Sequence, residues 1–299
     1  MIEPSRSASP PPPRPPPEDV AEAGRRVREI LGTMPGGVVA LSGGTDSALL
    51  LALAADVWGA SRCVAVTSRS ESLAPRELDD ARAQARAAGV EHEVLAGAEV
   101  DLEAFRRNAP DRCFHCKDTL FAAAREVASR RGLACVVDGT NADDLSDHRP
   151  GFAAGLRHGV RSPLLEAGLS KPWVRALARS LGLPTWDKPA ESCLSSRFPY
   201  GTAITKEGLD RVRLAEDVLR DLGFRSVRVR VHDPIARIEV PIGDAGALLA
   251  PGVRDRVVEG LRALGFGYVS LDLEGYRSGS MNETLRPGPR GELPTVPAS

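Results

Sequence analysis

Ser42-Gly43-Gly44-Thr45-Asp46-Ser47 joins two stretches of opposite character. Before it, Gly37-Val38-Val39-Ala40-Leu41 is short and apolar with two β-branched residues, which predicts a buried parallel strand. After it, Ala48-Leu49-Leu50-Leu51-Ala52-Leu53-Ala54-Ala55 is strongly helix-forming and has no internal breaker. The two glycines therefore fall in a tight strand-to-helix turn. Glycine lets a backbone approach a ligand closely, and the free N–H groups and positive dipole end of the following helix favour an anion such as phosphate. The stretch matches neither the lysine-bearing nucleotide loop nor the three-glycine dinucleotide fingerprint. The plainer alternative is a Gly-rich connection in which Ser or Asp caps a helix.

Outward from this turn the chain alternates. Residues 19–31 read as a helix, with Val20, Val27, Ile30 and Leu31 on its apolar side. Strands are expected at 63–67, 92–95 and 134–138, and helices at 75–88, 118–130 and 172–181. Such alternation predicts an α/β fold with a doubly wound parallel sheet, whose ligands sit at the carboxyl ends of the strands. The loops after Leu41, Thr67 and Asp138 are then the ones that matter. Asp138-Gly139-Thr140-Asn141-Ala142-Asp143-Asp144 supplies acceptors and a metal-binding carboxylate there, or else a solvated Asx-rich turn. From about residue 203 the pattern changes. Residues 207–222 form an amphipathic helix, Val227-Arg228-Val229-Arg230-Val231 alternates as a half-buried strand, and 235–240, 253–264 and 268–273 add strand, helix and strand. This predicts a smaller α+β domain over 203–286. Residues 1–18, rich in proline, and 287–299 cannot form a core and read as disordered ends.

Composition bounds the function. The chain has 299 residues, 42% of them hydrophobic and 26% charged, with a net charge of −1, so no global charge argues for nucleic acid or membrane. No run reaches the roughly 18 apolar residues of a membrane span, and the N-terminus has no hydrophobic signal segment. A cytoplasmic protein with reduced cysteines is expected. Cys63 and Cys135 sit in apolar strand-like runs and read as core. Cys113 and Cys116 form a C-x-x-C pair in a polar setting before the 118–130 helix. Cys193 stands among hydroxyls beside Arg197. Nearby positive charge and helix-start amides favour thiolate, the nucleophilic and metal-binding form.

The turn at 42–47 resembles the SGG-x-DS loop of the ATP pyrophosphatases, also called PP-loop enzymes, which cleave ATP between the α and β phosphates and so adenylate a substrate. The resemblance implies an ATP site with Mg²⁺ at Ser42, Gly43, Gly44, Asp46 and Ser47, completed by Asp138, Gly139, Thr140 and Asn141. It narrows further on three stretches: Lys188-Pro189-Ala190-Glu191-Ser192-Cys193-Leu194-Ser195-Ser196-Arg197-Phe198-Pro199-Tyr200-Gly201-Thr202; residues 227–239; and residues 265–282. Together these resemble the LarE family of ATP-dependent sulfur transferases, over roughly residues 20–286.

That resemblance implies sulfuration of the carboxylates of a pyridinium-3,5-biscarboxylate mononucleotide, a step toward the nickel-pincer cofactor of lactate racemase. Adenylation turns a carboxylate, a poor electrophile, into a mixed anhydride that the Cys193 thiolate can attack. Family behaviour implies that the cysteine's own C–S bond then breaks, leaving dehydroalanine. The resemblance also implies substrate contacts at Ser196, Arg197, Arg228, Arg230, Glu216, Glu239 and Asp244, and a homo-oligomer. Arginine forks suit the phosphate and carboxylates of such a substrate, though Arg228 and Arg230 also read as solvated charges on an outer sheet face. Some relatives lack the C-x-x-C pair. Here Cys113, Cys116 and Cys193 could instead hold a [4Fe–4S] cluster with one open iron, or a zinc with His115 as an awkward fourth ligand. Two further readings stay open: an amidotransferase-type synthetase or tRNA thiolase using the same loop, and a non-catalytic nucleotide or metal sensor.

Overall fold

The computed structural model describes residues 16–146, 150–189, 191–277 and 280–281. The expected disordered leader through residue 15 and the tail beyond residue 281 lie outside the described residues, as do Ala190, Ser278, Gly279 and Asn282 of the quoted motifs. Two compact units divide the chain, one ending at Arg213 and the other beginning at Leu214.

The first unit opens with α1 (Val20–Gly32), capped by the Asp19 side chain, which accepts from the Glu22 N–H. There follow β1 (Gly37–Ala40), α2 (Thr45–Trp58), β2 (Cys63–Arg69), α3 (Pro75–Ala87), β3 (Glu91–Ala96), the single turn α4 (Glu103–Arg106) and α5 (Arg112–Arg130). Next come β4 (Cys135–Val137), α6 (Pro150–Arg157), the single turn α7 (Pro163–Glu166) and α8 (Lys171–Ser180). All four strands are parallel, in the order β3-β2-β1-β4. β1 and β4 are buried throughout, as near-continuous apolar runs in a sheet covered on both faces must be. One core cluster gathers Val27 and Leu31 of α1, Leu49, Leu50 and Trp58 of α2 and Val174 and Leu177 of α8; another gathers Phe121, Ala124 and Val127 of α5 with Ala154 of α6. The sheet is therefore doubly wound, as expected. Cys63 and Cys135 are core residues, and burial pushes their thiols up to about 12 and about 11.

One expected boundary moves. α5 begins at Arg112, six residues ahead of the expected start, so Cys113 and Cys116 lie inside the helix, one turn apart on one face, rather than before it. Nothing in Cys113-Phe114-His115-Cys116-Lys117 breaks a helix, and tertiary packing extends it past what propensity suggests.

The second unit takes over within α9 (Lys206–Asp221), then adds β5 (Arg228–His232), β6 (Ile235–Glu239), the short α10 (Ala245–Leu249), α11 (Pro251–Ala263) and β7 (Tyr268–Leu271). Its sheet has the order β5-β6-β7, with β5 antiparallel and β7 parallel to β6. The division lies beyond the expected residue 203, where the Ile204 N–H donates to the Arg106 carbonyl at 2.8 Å, and the loop just before it is tied to the first unit by Asn108. Its amide donates to the carbonyls of Phe198, Pro199 and Thr202 at 3.2, 2.8 and 3.0 Å. Among the described residues no helix is long and apolar enough to cross a membrane.

Candidate active site

β1 is flanked by β2 on one side and β4 on the other, so the chain reverses its winding direction between β1 and β4. The crevice at that switch point, beyond the carboxyl ends of the strands, is where such sheets bind ligands. The loop after β1 and the loop after β4 meet there, backbone against backbone. Gly43 has φ +80°, and a Cβ on it would come within 2.5 Å of the Glu77 carbonyl oxygen. A Cβ on Gly139 would come within 2.9 Å of the Ser47 amide nitrogen. No side chain caps the start of α2, which leaves its first-turn N–H groups to an incoming anion.

Side chains then fix the turn. The Ser42 N–H donates to Ser47 Oγ at 3.2 Å, the two hydroxyls lie 3.1 Å apart, and Ser47 Oγ donates to the Gly44 carbonyl at 3.1 Å. Asp46 pairs with Lys171 Nζ, and Asn141 Nδ2 approaches it to 3.5 Å. Lys171, at the start of α8, also donates its backbone N–H to Asp143 at 2.8 Å. Asp138 serves its own loop: its carboxylate accepts from the Thr140 N–H, the Thr140 hydroxyl and the Ser162 hydroxyl at 3.2, 2.8 and 2.7 Å. Gly43 is held from behind as well, its carbonyl accepting from Gln84 Nε2 at 2.8 Å and from Lys188 Nζ at 2.9 Å. Uncapped amides with an acid beside them fit the phosphates of a nucleotide carrying Mg²⁺, for which Asp46 is the fitting ligand.

The Cys193 segment is fastened to the same edge of the sheet. Lys188 reaches the loop after β1, while the Leu194 N–H donates to the Ser72 carbonyl in the loop after β2 at 2.9 Å. Two buried guanidiniums shape the turn between them. Arg197, 0% exposed, donates through Nη1 to the carbonyls of Ser192 and Cys193 at 2.8 and 3.3 Å and to Ser196 Oγ at 2.9 Å. Arg112, 3% exposed, donates to the Ser195 carbonyl at 3.0 Å and to Asn108 Oδ1. Expected as substrate contacts, Ser196 and Arg197 are occupied in building the cysteine's own turn.

The three polar-context cysteines share one electrostatic environment. Desolvation by its surroundings raises the Cys113 thiol above its ordinary range although the residue itself is exposed, and the charge of Cys193 raises it further, against Arg112 and Lys117. Burial likewise raises Cys116, with Glu99 and Cys193 adding to it. For these two thiols desolvation opposes the helix-start amides and positive charge that favour thiolate. Among the described residues no group of three or more His, Cys, Asp or Glu side chains is placed to hold a metal ion. His115, the candidate fourth ligand of a zinc, is engaged with Asp111 at 3.3 Å.

In the second unit the alternative reading of Arg228 and Arg230 as solvated charges does not hold. Arg228 and Arg230 are 3% and 5% exposed, so neither is a solvated surface charge. Arg230 makes a fork-to-fork pair with Glu239, at 2.8 and 3.1 Å, and donates to Ser280 Oγ at 2.7 Å. Arg228 donates to the Arg277 carbonyl at 2.7 Å and to the Tyr276 hydroxyl at 3.0 Å, and lies 4.1 Å from the Tyr276 ring centroid. Glu216, also buried, accepts from the Val229 N–H at 3.2 Å and from Arg220 at 2.9 Å. Asp244 stands half-buried ahead of α10. Both arginines lie on one face of β5, as the alternation requires, with the protein's own acids and carbonyls as partners.

Sequence reasoning passed over Lys171, Lys188, Arg112 and Asn108. Lys188 headed a quoted motif, but no spacing rule links it to Gly43.

Comparison with known proteins places these features. The asparagine synthase family model matches residues 33–201, which include both loops and the Cys193 turn. An uncharacterized protein of Synechocystis sp. is 44% identical over 87% of this chain and 96% of its own length. The pyridinium-3,5-bisthiocarboxylic acid mononucleotide synthase of Lactiplantibacillus plantarum is 43% identical over 83% of this chain and 89% of its own. More distantly, the tRNA-specific 2-thiouridylase of Caulobacter vibrioides is 29% identical over 72% of this chain and 70% of its own.

Proposed function

Because the chain belongs to the LarE family, built on an asparagine-synthase-type ATP pyrophosphatase domain, we propose that it converts the carboxylates of pyridinium-3,5-biscarboxylic acid mononucleotide to thiocarboxylates at the expense of ATP. The observation that carries this reading is the 43% identity to a synthase of that product over most of both chains. A carboxylate oxygen attacks the α-phosphorus and pyrophosphate leaves. Ser42, Gly43, Gly44 and Ser47 hold the phosphates, Asp46 holds Mg²⁺, and the Gly139-Thr140-Asn141 backbone closes the crevice, with Asp138 keeping that loop in shape. Mg²⁺ supplies neutralisation of the charge that builds on the leaving pyrophosphate. Cys193 Sγ then attacks the acyl adenylate and AMP leaves, giving a thioester. Loss of the cysteine's α-proton and cleavage of its Cβ–S bond release the thiocarboxylate and leave dehydroalanine. Arg112 and Arg197 position the Cys193 turn. In the second unit, Arg228, Arg230, Glu216, Glu239 and Asp244 form the set assigned to the mononucleotide, the arginines exchanging internal partners for its phosphate and carboxylates.

A [4Fe–4S] cluster on Cys113, Cys116 and Cys193 is the second reading, favoured by the mutual influence of the three thiols. A homo-oligomer rests on the family resemblance alone. Against a tRNA substrate stands the net charge of −1.

Mass spectrometry after turnover tests the donor. The peptide containing Cys193 should lose the elements of H₂S, Cys193→Ala should make no thiocarboxylate, and Cys113→Ala and Cys116→Ala should each still complete one round. Unchanged Cys193 in a brown, iron-containing protein that turns over repeatedly with added sulfide, and loses this with either helix cysteine, would replace sacrifice by the cluster.

A further inference from the structure

Lys171 opens α8, and its ammonium group is in an electrostatically unusual place. A cation at the first position of a helix faces the positive end of that helix's dipole, where anions are the stabilising partners. Here it faces a second such end, because Asp46, which it reaches, lies in the first turn of α2 beside amides that no side chain caps. Among the described residues Asp46 is the only acceptor that Lys171 Nζ meets, at 2.5 Å. One carboxylate therefore balances an ammonium group and two helix ends.

The backbone of Lys171 is fixed while its charge is not. Its N–H donates to Asp143 Oδ2 at 2.8 Å, and the Ala142 N–H donates to the Leu169 carbonyl at 2.8 Å, so the start of α8 is laced to the loop after β4. The side chain itself is 30% exposed, which lets the ammonium group turn while the helix stays in place. Asp46 is similarly open, and its other oxygen meets Asn141 Nδ2 only at 3.5 Å, too long for a strong hydrogen bond. A pair this open to water contributes little stability and exchanges partners readily. Lys188, the other lysine at the nucleotide loop, is the fixed one: it is 17% exposed and already holds both the Gly43 carbonyl and Asp80.

We propose that Lys171 is a ligand of the pyrophosphate part of ATP: it gives up Asp46 when that carboxylate takes the Mg²⁺ carried by the triphosphate, and its ammonium group turns onto the β- and γ-phosphate oxygens. The proposal rests on the reading of the 42–47 loop as the ATP site with Asp46 as the metal's ligand. The direction of the exchange follows from charge. In the free protein Asp46 has one singly charged partner; with a divalent ion on the carboxylate, the ammonium group beside it is repelled, and the nearest negative charge is the phosphate that shares the ion. That ion neutralises the leaving pyrophosphate, so the lysine displaced from its ligand meets the same group. The exchange moves no proton and breaks no covalent bond.

Titration calorimetry of the full chain with Mg²⁺-saturated α,β-methylene-ATP, and separately with AMP, tests this. Lys171→Met should weaken binding of the analogue by about tenfold or more and leave AMP binding unchanged. The same loss should persist when Lys171→Met is added to Asp46→Asn, where the lysine has no carboxylate left to balance. A loss that disappears in the Asp46→Asn background would make Lys171 a counter-ion of Asp46 and nothing more, and overturns the proposal. Unchanged analogue binding in Lys171→Met, or an equal loss for AMP, overturns it too; each of these results leaves the loop as the ATP site. No binding of the analogue to the wild-type chain overturns both. If a variant does not fold or binds too weakly to titrate, amine acetylation of the wild-type chain decides. Mass spectrometry of the peptide containing Lys171 should show slower acetylation with the analogue bound than with AMP, and the same rate with both overturns the proposal.

Discussion

At the start of α2, Asp46 stands a quarter exposed beside uncapped amides, and its counter-ion Lys171 sits on a long stem that is itself partly exposed. In the sheet of the second unit, Arg228, Arg230 and Glu239 carry more charge and are almost wholly enclosed, each facing partners on β5, β6 or at Tyr276, Arg277 and Ser280. A ligand can displace a lysine that has water to turn into. It can displace the partner of a sealed arginine only by supplying an equivalent one, because an unpaired charge in that interior costs several kcal/mol. The first region is therefore arranged for exchange at low cost, whereas in the second only a ligand with forks of oxygen to offer could compete with Glu239.

Asp46→Ala tests the first half of this contrast and carries the largest expected effect. Pyrophosphate release should fall by about a thousandfold while the melting temperature stays close to wild type, since Lys171 can relax into solvent. Normal pyrophosphate release from that variant would remove Asp46 from the reaction. Glu239→Ala tests the second half. It strands Arg230 in the interior and should cost about 3–5 kcal/mol in urea unfolding, with Glu239→Gln recovering part of the loss through its remaining acceptor. A stability equal to wild type would show that the Arg230–Glu239 pair is not sealed, and the contrast between the regions would collapse. The smallest effect is expected at Gly139→Ala, where a methyl group would press on the Ser47 amide at 2.9 Å. A loss of about 1–3 kcal/mol is expected, appearing as a raised KM for ATP. A KM unchanged by the substitution would mean that the two loops need not touch for ATP to bind.

Much of this was legible beforehand. The strand before Ser42, the helix after Ser47 and the Asp138 turn fall where hydrophobic runs and glycines put them, because a strand, a sharp turn and a helix are each written within a few neighbouring residues. The start of α5 was misplaced for the converse reason. Cys113-Phe114-His115-Cys116 has middling helix propensity, and packing decided the outcome. Arg228 and Arg230 were correctly put on one face of a strand, but not on which side of the sheet the protein would enclose them. That depended on Glu239 across the hairpin and on Tyr276, 48 residues further on.

A winding α/β sheet, a glycine turn at its switch point and a cysteine in a distinctive setting are all written locally in the chain. Short-range sterics and hydrophobic period specify these, and they survive being read one window at a time. What each charged group meets there is settled by the assembled fold. Lys188 meets Gly43 across 145 residues, and Arg112 meets the Ser195 carbonyl across 83. Ionisation depends on which charges and how much water surround a side chain in space. Those surroundings are assembled from distant segments, so no local pattern in the chain records them.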